Sequence, residues 1–339
     1  MKAYEVTATS ADFSGIERTE RDRPEPDANE VLINVRACSI NYRDLAIAHE
    51  DLQYHGTSLP TIPLSDGAGE VIEVGSAVTR LEVGDRVATP FSPGWISGDF
   101  DESALGSARG AGIDGVLAEY VTYPAASVPK LPDHLDYEAG ATLPCAGLTA
   151  WHAVAENGAV QSGESVLLIG TGGVSTFGLQ FAAMHGADPF VISSSDEKLE
   201  RAKALGATQT LNYVDTPEWG DAVQERTGGG VDHVVEVGGQ GTIQRSVTAT
   251  AIGGNVHLIG VLSEPDEPFN PLSLLGKGLT VQGILGVGST RMFQRMARAI
   301  DVNEMSPEVD RVFSFDTVPE AYRYLESAQH QGNVVISID

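Results

Sequence analysis

The sequence predicts an α/β protein in which a doubly wound parallel sheet forms one domain and an all-β module precedes it. Three observations carry this. Ser165 to Ile169 is a short apolar run without charge, the pattern of a strand buried on both faces. It leads into Gly170, Gly172 and Gly173, after which Leu179, Phe181, Ala182 and Met184 recur at spacings that suit a helix lying on that sheet. Behind this unit strands and helices alternate, and alternation of that kind builds a doubly wound sheet.

Taken in order, the chain opens with short β-type runs separated by Pro, Gly and Asp turns. They are Glu30 to Ala37, Gly69 to Val74, Arg86 to Thr89 and Leu117 to Thr122, and they read as a partly closed barrel. Phe91 to Gly115 is rich in Gly, Ser and acids and lacks periodicity, so it is expected as a long surface loop. Prolines between Pro124 and Asp133 mark a crossing, and Tyr137 to Glu156 is expected as a helix broken near Pro144. Strands follow at Phe190 to Ser193, Thr208 to Tyr213, Val231 to Val237 and Asn255 to Val261, with a helix over Glu197 to Gly206. Glu264 to Asn270 reads as a loop, and Leu279 to Leu285 as a sixth strand at the sheet edge. Helices over Arg291 to Ile300 and Pro319 to Ser327 and a strand over Asn333 to Ile338 return the tail to the first module.

The glycine turn is the informative local motif. Such a turn is also common as plain structure, and the succession behind it is what points to dinucleotide binding. There the first glycine makes the tight turn, the second admits the backbone to a pyrophosphate, and the helix N-terminus offers amide donors to that anion. Ser175 stands at the third fingerprint position, where a small residue allows close packing.

Composition excludes several partners. The formal net charge of −26 repels nucleic acid and anionic membrane, which both need clustered Lys and Arg. Lysine occurs only at Lys2, Lys130, Lys198, Lys203 and Lys277, and an acidic, lysine-poor surface is expected of a halophilic protein working in concentrated salt. No apolar run has signal-peptide or membrane-span length, so a cytoplasmic protein is expected. Cys38 and Cys145 are too few for a disulfide scaffold.

The motifs together resemble one family. ACSINYRDL (37–45), IPLSDGAGEV (62–71), VGDRV (83–87), DGVLAEY (114–120), LPCAGLTAWHAV (143–154), LIGTGGVS (168–175), SSSDEKLERAKALGA (193–207) and GNVV (332–335) stand in the order found in the medium-chain dehydrogenase/reductase superfamily. Zinc alcohol dehydrogenases and zinc-free quinone oxidoreductases both belong to it. The resemblance spans the whole chain and implies a GroES-like β-barrel catalytic domain over 1–127 and 286–339. It further implies a Rossmann coenzyme domain over 128–285 and an active site in the cleft between them.

The same resemblance bears on metal. A catalytic zinc needs three protein ligands, typically Cys, His and Cys. Where zinc relatives carry the first cysteine this chain has Asn41, and where they carry histidine it has Ser65; only Cys145 stands at a ligand position. Asp66 could add an oxygen. The four cysteines of a structural-zinc lobe are missing from Phe91 to Gly115. No zinc is expected.

Hydride transfer from a reduced nicotinamide is then the chemistry implied, with the acceptor polarised by hydrogen bonds. By resemblance Asn41 offers an amide donor to a carbonyl oxygen, while Tyr42 or Arg43 delivers a proton or orients the substrate and Asp44 fixes the loop. The structural alternative is that Asn41 caps a helix beginning at Tyr42. His49 and His55 read as solvated loop histidines, His152 as packed, and Cys145 as a small buried hydrophobe.

For the coenzyme, an NAD enzyme places Asp or Glu at the end of the second Rossmann strand, where this chain has Ser193. Ser194 follows and Lys198 stands one turn on. Hydroxyls and a lysine suit a 2′-phosphate, so NADP is expected, with NAD as the alternative. The competing reading makes Lys198 one solvated charge on an acidic helix. Tyr213 resembles a tyrosine that packs beside this phosphate. Further coenzyme contacts are implied for Thr149, Thr171, Val174, Gly238, Gly260, Val261, Leu285 and Asn333. The expected activity is zinc-independent reduction of a quinone or other activated carbonyl or enone, with a small-molecule substrate and a homodimer or homotetramer. Metal-free alcohol or aldehyde oxidoreduction, or coenzyme binding with little turnover, are the alternatives.

Overall fold

The β-type runs of the N-terminal part pair around one long strand. The structure, a computed structural model, describes residues 1–49, 56–264 and 268–338. The chain divides into two units, Met1–Leu148 with Gly286–Asp339, and Thr149–Leu285. In chain order β1 (Lys2–Val6) pairs antiparallel with β2 (Ile16–Glu20), and β3 (Glu30–Ile40) is the long strand. Helix α1 (Tyr42–Ala48) follows directly, then β4 (Asp66–Val74), β5 (Arg86–Ala88), α2 (Glu102–Gly106), β6 (Tyr120–Pro124), α3 (Tyr137–Ala141) and α4 (Leu148–Trp151).

The second unit runs β7 (Ser165–Ile169), α5 (Gly173–Met184), β8 (Asp188–Ser193), α6 (Asp196–Ala204), β9 (Gln209–Asn212), α7 (Trp219–Thr227) and β10 (Val231–Glu236). It continues through α8 (Ile243–Ala249), β11 (Thr250–Leu258), α9 (Leu272–Lys277) and β12 (Thr280–Gly283). All six strands pair in parallel in the order β12-β11-β10-β7-β8-β9. Leu167, Ile169, Phe190, Ile192, Val234 and Val256 project from neighbouring strands into one buried cluster, which explains the near-continuous apolar strands. The edge position expected for the sixth strand is observed in β12, whose residues are exposed.

The tail consists of α10 (Thr290–Val302), β13 (Val309–Ser314), α11 (Val318–Glu326) and β14 (Asn333–Ser337). It rejoins the first unit because β14 pairs antiparallel with β3, giving the order β13-β14-β3-β4-β5 with β6 also on β3. Val31, Ile33 and Val35 of β3 share a core with Phe315, Tyr322, Val334 and Ile336 of the tail.

Several local expectations shift. The first unit extends to Leu148, beyond the expected change at residue 127, because the segment carrying α3 packs on β3 and β4. The 137–156 stretch changes near Pro144 as expected: α3 ends at Ala141 with Thr142 as its cap, and the proline does not end the helical winding. It sits in the first turn of a wide π-type segment, Leu143–Gly147, where no proline N–H is needed, and a second wide segment covers His152–Asn157. Phe91 to Gly115 contains α2, capped by Asp101, whose carboxylate accepts the Ala104 N–H at 2.8 Å. The expected strand at Leu117 to Thr122 begins at Tyr120 and ends at Pro124.

Candidate active site

Asn41 follows β3 without a spacer and begins α1. Its backbone N–H donates to the Asp44 Oδ2 at 2.7 Å, so Asp44 fixes the turn as expected. Its side chain lies beside a second acid. Register explains this: β3 and β4 run antiparallel with Ser39 opposite Asp66, two residues from Asn41.

The Asp66 carboxyl is fully buried, and each of its oxygens has a donor. Ser65 Oγ donates to Oδ1 at 2.6 Å, and the Cys145 N–H, at the wide turn, donates to Oδ2 at 2.9 Å. Burial raises Asp66 to about 7; Ser65, Asn41 and the Cys145 N–H pull it down, and Asp44 pushes it further up. Asp44, equally buried, is raised by its burial to about 6, against the pull of Arg43 and the Asn41 N–H. Asn41 therefore stands between two buried acids that take up protons near neutrality. Its own Nδ2 is buried and faces the Asp66 carboxyl.

The turn carrying Ser65 is held under constraint. Leu64 has φ +66, unusual for a branched side chain, and its carbonyl accepts the Val116 N–H at 2.9 Å. A Cβ on Gly115 would lie 1.9 Å from that carbonyl oxygen, so only glycine lets the DGV stretch approach. Thr89 Oγ1 donates to the Ser65 carbonyl at 3.1 Å and accepts the Gly67 N–H at 2.8 Å. Tyr42 is largely exposed, whereas the Arg43 guanidinium lies 4.7 Å from the Phe91 ring centroid.

In the second unit the glycine turn closes as its sequence implies. Gly170 has φ +75 with open space where a Cβ would stand, and its N–H donates to the Ile192 carbonyl at 2.8 Å. Ser175, at the third fingerprint position, donates through Oγ to the Ile169 carbonyl at 2.7 Å, so the hydroxyl ties helix to strand. Close helix–strand contact falls instead at Gly178, where a Cβ would lie 2.8 Å from Leu168 Cδ1. Gly172, Gly173 and Val174 begin α5, whose first N–H groups have no intrahelical partner. This open, glycine-lined helix start fits a pyrophosphate.

Ser193 ends β8 at 3% exposure, and its carbonyl accepts the Tyr213 N–H at 3.1 Å, bringing these two expected residues together. Ser194 is exposed, Ser195 caps α6, and Lys198 lies on its first turn. Asp196, the first residue of α6, accepts from Asn212 Nδ2 at 2.8 Å. Gly238 and Gly260 flank the ends of β10 and β11, Thr149 and Thr171 are buried, and Val261 and Leu285 are 71% and 61% exposed. Asn333 belongs to the first unit, where its Nδ2 donates to the Glu308 carbonyl at 2.9 Å.

Sequence reasoning missed Glu236. This fully buried carboxylate accepts the N–H groups of Gly238 and Gly239 at 2.7 and 2.9 Å and the Thr242 hydroxyl at 2.6 Å, and it also accepts from Ser246. It shapes the turn that carries Gly238. The available signal was an acid closing an apolar strand immediately before a glycine pair. His152 is buried as expected, whereas His49, expected as a solvated loop histidine, closes α1 with its ring packed 5.6 Å from Phe13 and paired with Glu326 at 3.4 Å; His55 lies outside the described residues.

Comparison with known proteins agrees with this geometry. Residues 27–133 match the alcohol dehydrogenase GroES-like domain, and 173–302 match the zinc-binding dehydrogenase family. A zinc-type alcohol dehydrogenase-like protein of Schizosaccharomyces pombe is 41% identical over 344 residues, covering 99% of both chains. The chain belongs to the medium-chain dehydrogenase/reductase superfamily. It is an oxidoreductase of that family, built from a GroES-like unit and a Rossmann unit. Among solved structures, an NAD-dependent alcohol dehydrogenase matches with TM-score 0.90 at 29% identity over all of both chains. A mycobacterial protein complexed with NADPH matches with TM-score 0.82 at 27% identity over 99% of both. Among the described residues, no three His, Cys, Asp or Glu side chains gather as a metal site, and no helix is long and apolar enough to cross a membrane.

Proposed function

We propose that this protein is an NADP(H)-preferring oxidoreductase that reduces a quinone or another activated carbonyl or enone without catalytic zinc. The observation that carries this is Asn41, whose buried side-chain amide lies beside the Asp66 carboxyl at the position where zinc relatives place a thiolate. The amide carries two N–H donors, so one can turn to an acceptor oxygen while the other faces Asp66.

The residues present do not fit a zinc ion. Ser65 is an alcohol, Asn41 an uncharged amide, and both oxygens of Asp66 already accept hydrogen bonds, which leaves the Cys145 thiol as the one soft donor. A bound dihydronicotinamide supplies the hydride. Asn41 then donates to the acceptor oxygen as negative charge develops there. A single amide suits acceptors whose conjugation spreads that charge, such as quinones and enones, better than simple aldehydes.

For the coenzyme, one solved neighbour is named as NAD-dependent and another is complexed with NADPH, so the preference rests on Ser193. A hydroxyl there accommodates a 2′-phosphate that a carboxylate would repel. The exposed β12 edge, with Val281 and the following Leu285 on the surface, supports self-association through that strand. The test is NADPH and NADH oxidation with a panel of quinones, enones and aldehydes, in low and molar salt, before and after zinc chelation. Turnover of quinones or enones with NADPH that survives chelation is expected. Activity restored only by zinc, or confined to alcohols and aldehydes, overturns the reading.

A further inference from the structure

We propose that the acceptor carries a carboxylate, which Arg109 and Arg43 hold beside Asn41. This rests on the reduction proposed above and adds the chemical class of its substrate. Both arginines belong to the first unit and meet at Phe91 from separate segments. Arg43 lies two residues past Asn41 on α1, with its guanidinium 4.7 Å from the Phe91 ring centroid. The Arg109 N–H donates to the Phe91 carbonyl at 3.1 Å, and its guanidinium lies 4.6 Å from the Tyr123 ring centroid. The next residue, Gly110, is pressed against Leu64, where a Cβ would stand 2.8 Å from the carbonyl carbon. Arg109 is thereby tied to the turn that carries Ser65 and Asp66, and Asp66 faces Asn41.

Charge balance singles out Arg109. Acids outnumber Lys and Arg by 47 to 21, so a cation without an acid does not lack for candidates. Arg18, Arg21 and Arg23 each pair with a carboxylate, and Arg80 and Arg86 each donate to two main-chain carbonyls. Arg109 has neither arrangement among the described residues. Its Nη1 reaches one carbonyl, that of Asp114, at 3.3 Å, and its buried Nε has no acceptor. A guanidinium presents its donors in a planar fork, and a carboxylate is the planar anion that fits it bidentately. Stacking on Phe91 and Tyr123 holds the two cations in place without using their donor edges.

The overall charge of −26 repels an anion at long range, so recognition must come from contact. Molar salt shortens that field to about 3 Å and screens a partly buried pair far less. A substrate with an enone at one end and a carboxylate at the other satisfies both Asn41 and the arginines. Its carbon–carbon double bond gains a hydride from NADPH and a proton from solvent, so the product is a saturated oxo acid and the coenzyme leaves oxidised.

The experiment compares β-acetylacrylate with its methyl ester at saturating NADPH, in wild type, Arg109→Gln, Arg109→Lys and Arg43→Gln. Wild type should favour the acid in kcat/KM by roughly 10–100-fold, the worth of a charged hydrogen bond, with the difference mostly in KM. Arg109→Gln and Arg43→Gln should each remove most of that ratio. Arg109→Lys, which keeps the charge but not the fork, should recover part of it. Calorimetric binding of levulinate, the saturated product acid, to coenzyme-free protein gives a readout independent of turnover. It should weaken by a similar factor in both Gln variants. A wild type that reduces the ester as well as the acid, a preference that survives both Gln substitutions, or levulinate binding indifferent to them each overturn the proposal. If no enone is reduced with NADPH while levulinate binding still depends on Arg109 and Arg43, the reduction proposed above fails and the carboxylate site stands.

Discussion

Asp66 lies directly opposite Ser39 in the β3–β4 ladder, and this one pairing sets a fully buried carboxyl beside the residue that opens α1. A carboxyl in that position resists ionisation. Its value near 7 in the fold, against about 3.9 in an unfolded chain, means that the native state holds a proton the unfolded state has lost between those values. Stability contributed by this site is therefore full below about pH 4 and declines as pH rises toward 7. Asp44 pushes in the same direction. Asp66→Asn should become more stable relative to wild type across that window, by up to about 4 kcal/mol. Thermal melts of both proteins at pH 4.5, 6 and 8 check this. A constant difference across the three would show that Asp66 is ionised throughout.

Ser193 gives the coenzyme prediction. Its burial at the end of β8, tied through its carbonyl to Tyr213, makes it a fixed point rather than a mobile contact. Ser193→Asp adds a charge where a 2′-phosphate is expected, and NADPH binding should weaken relative to NADH by roughly 10–100-fold, equivalent to about 1.4–2.8 kcal/mol. Fluorescence titration with each coenzyme measures the ratio. An unchanged ratio counts against NADP as the preferred partner.

Glu236 should matter as much as any glycine. Removing its carboxylate strands two buried amides and two hydroxyls. Glu236→Ala should destabilise the protein by about 3–5 kcal/mol, and NADPH binding should weaken because the turn carrying Gly238 loses its anchor. Glu236→Gln keeps an acceptor oxygen and should be milder. Calorimetry of both variants decides; an alanine variant as stable as wild type would remove the anchoring role.

The comparison between sequence and structure divides along physical lines. The Rossmann unit was legible because its strands are buried on both faces and announce themselves as apolar runs, and because glycine at 170 is demanded by a local positive φ. The barrel was harder. β1, β2 and β13 are short or half-exposed, so their residues carry little pattern, and β13 exists because β14 offers it a parallel partner. The position of Asn41 could be read from its motif. The state of Asp66 could not, since it depends on a strand register and on burial by segments as distant as Cys145. Glu236 was hidden for the same reason: its donors come from a turn that its own presence shapes.

Two histidines of the second unit, His233 and His257, are buried as a pair. His233 Nδ1 and His257 Nε2 lie 3.2 Å apart with nearly parallel rings, and His233 Nε2 reaches Glu164 Oε2 at 3.2 Å. Both histidines lie on one face of neighbouring strands, because Val235 pairs with His257 and His233 is two residues away. One ring must donate and the other accept, so the pair is best accommodated with His257 neutral. Burial pushes His257 down to about 4, and His233 and His152 add to the effect. An unfolded histidine titrates near 6.5, so the unfolded chain takes up the proton first. The stabilising contribution is full above about pH 6.5 and is lost as pH falls toward 4, amounting to at most about 3 kcal/mol. His257→Leu removes the titrating ring while keeping apolar volume on the sheet face. Its stability should therefore fall less steeply than that of wild type between pH 6.5 and 4.5, even if it is the weaker protein at pH 7. Urea unfolding at half-unit pH steps measures both slopes, and equal slopes would mean that His257 is protonated in the fold.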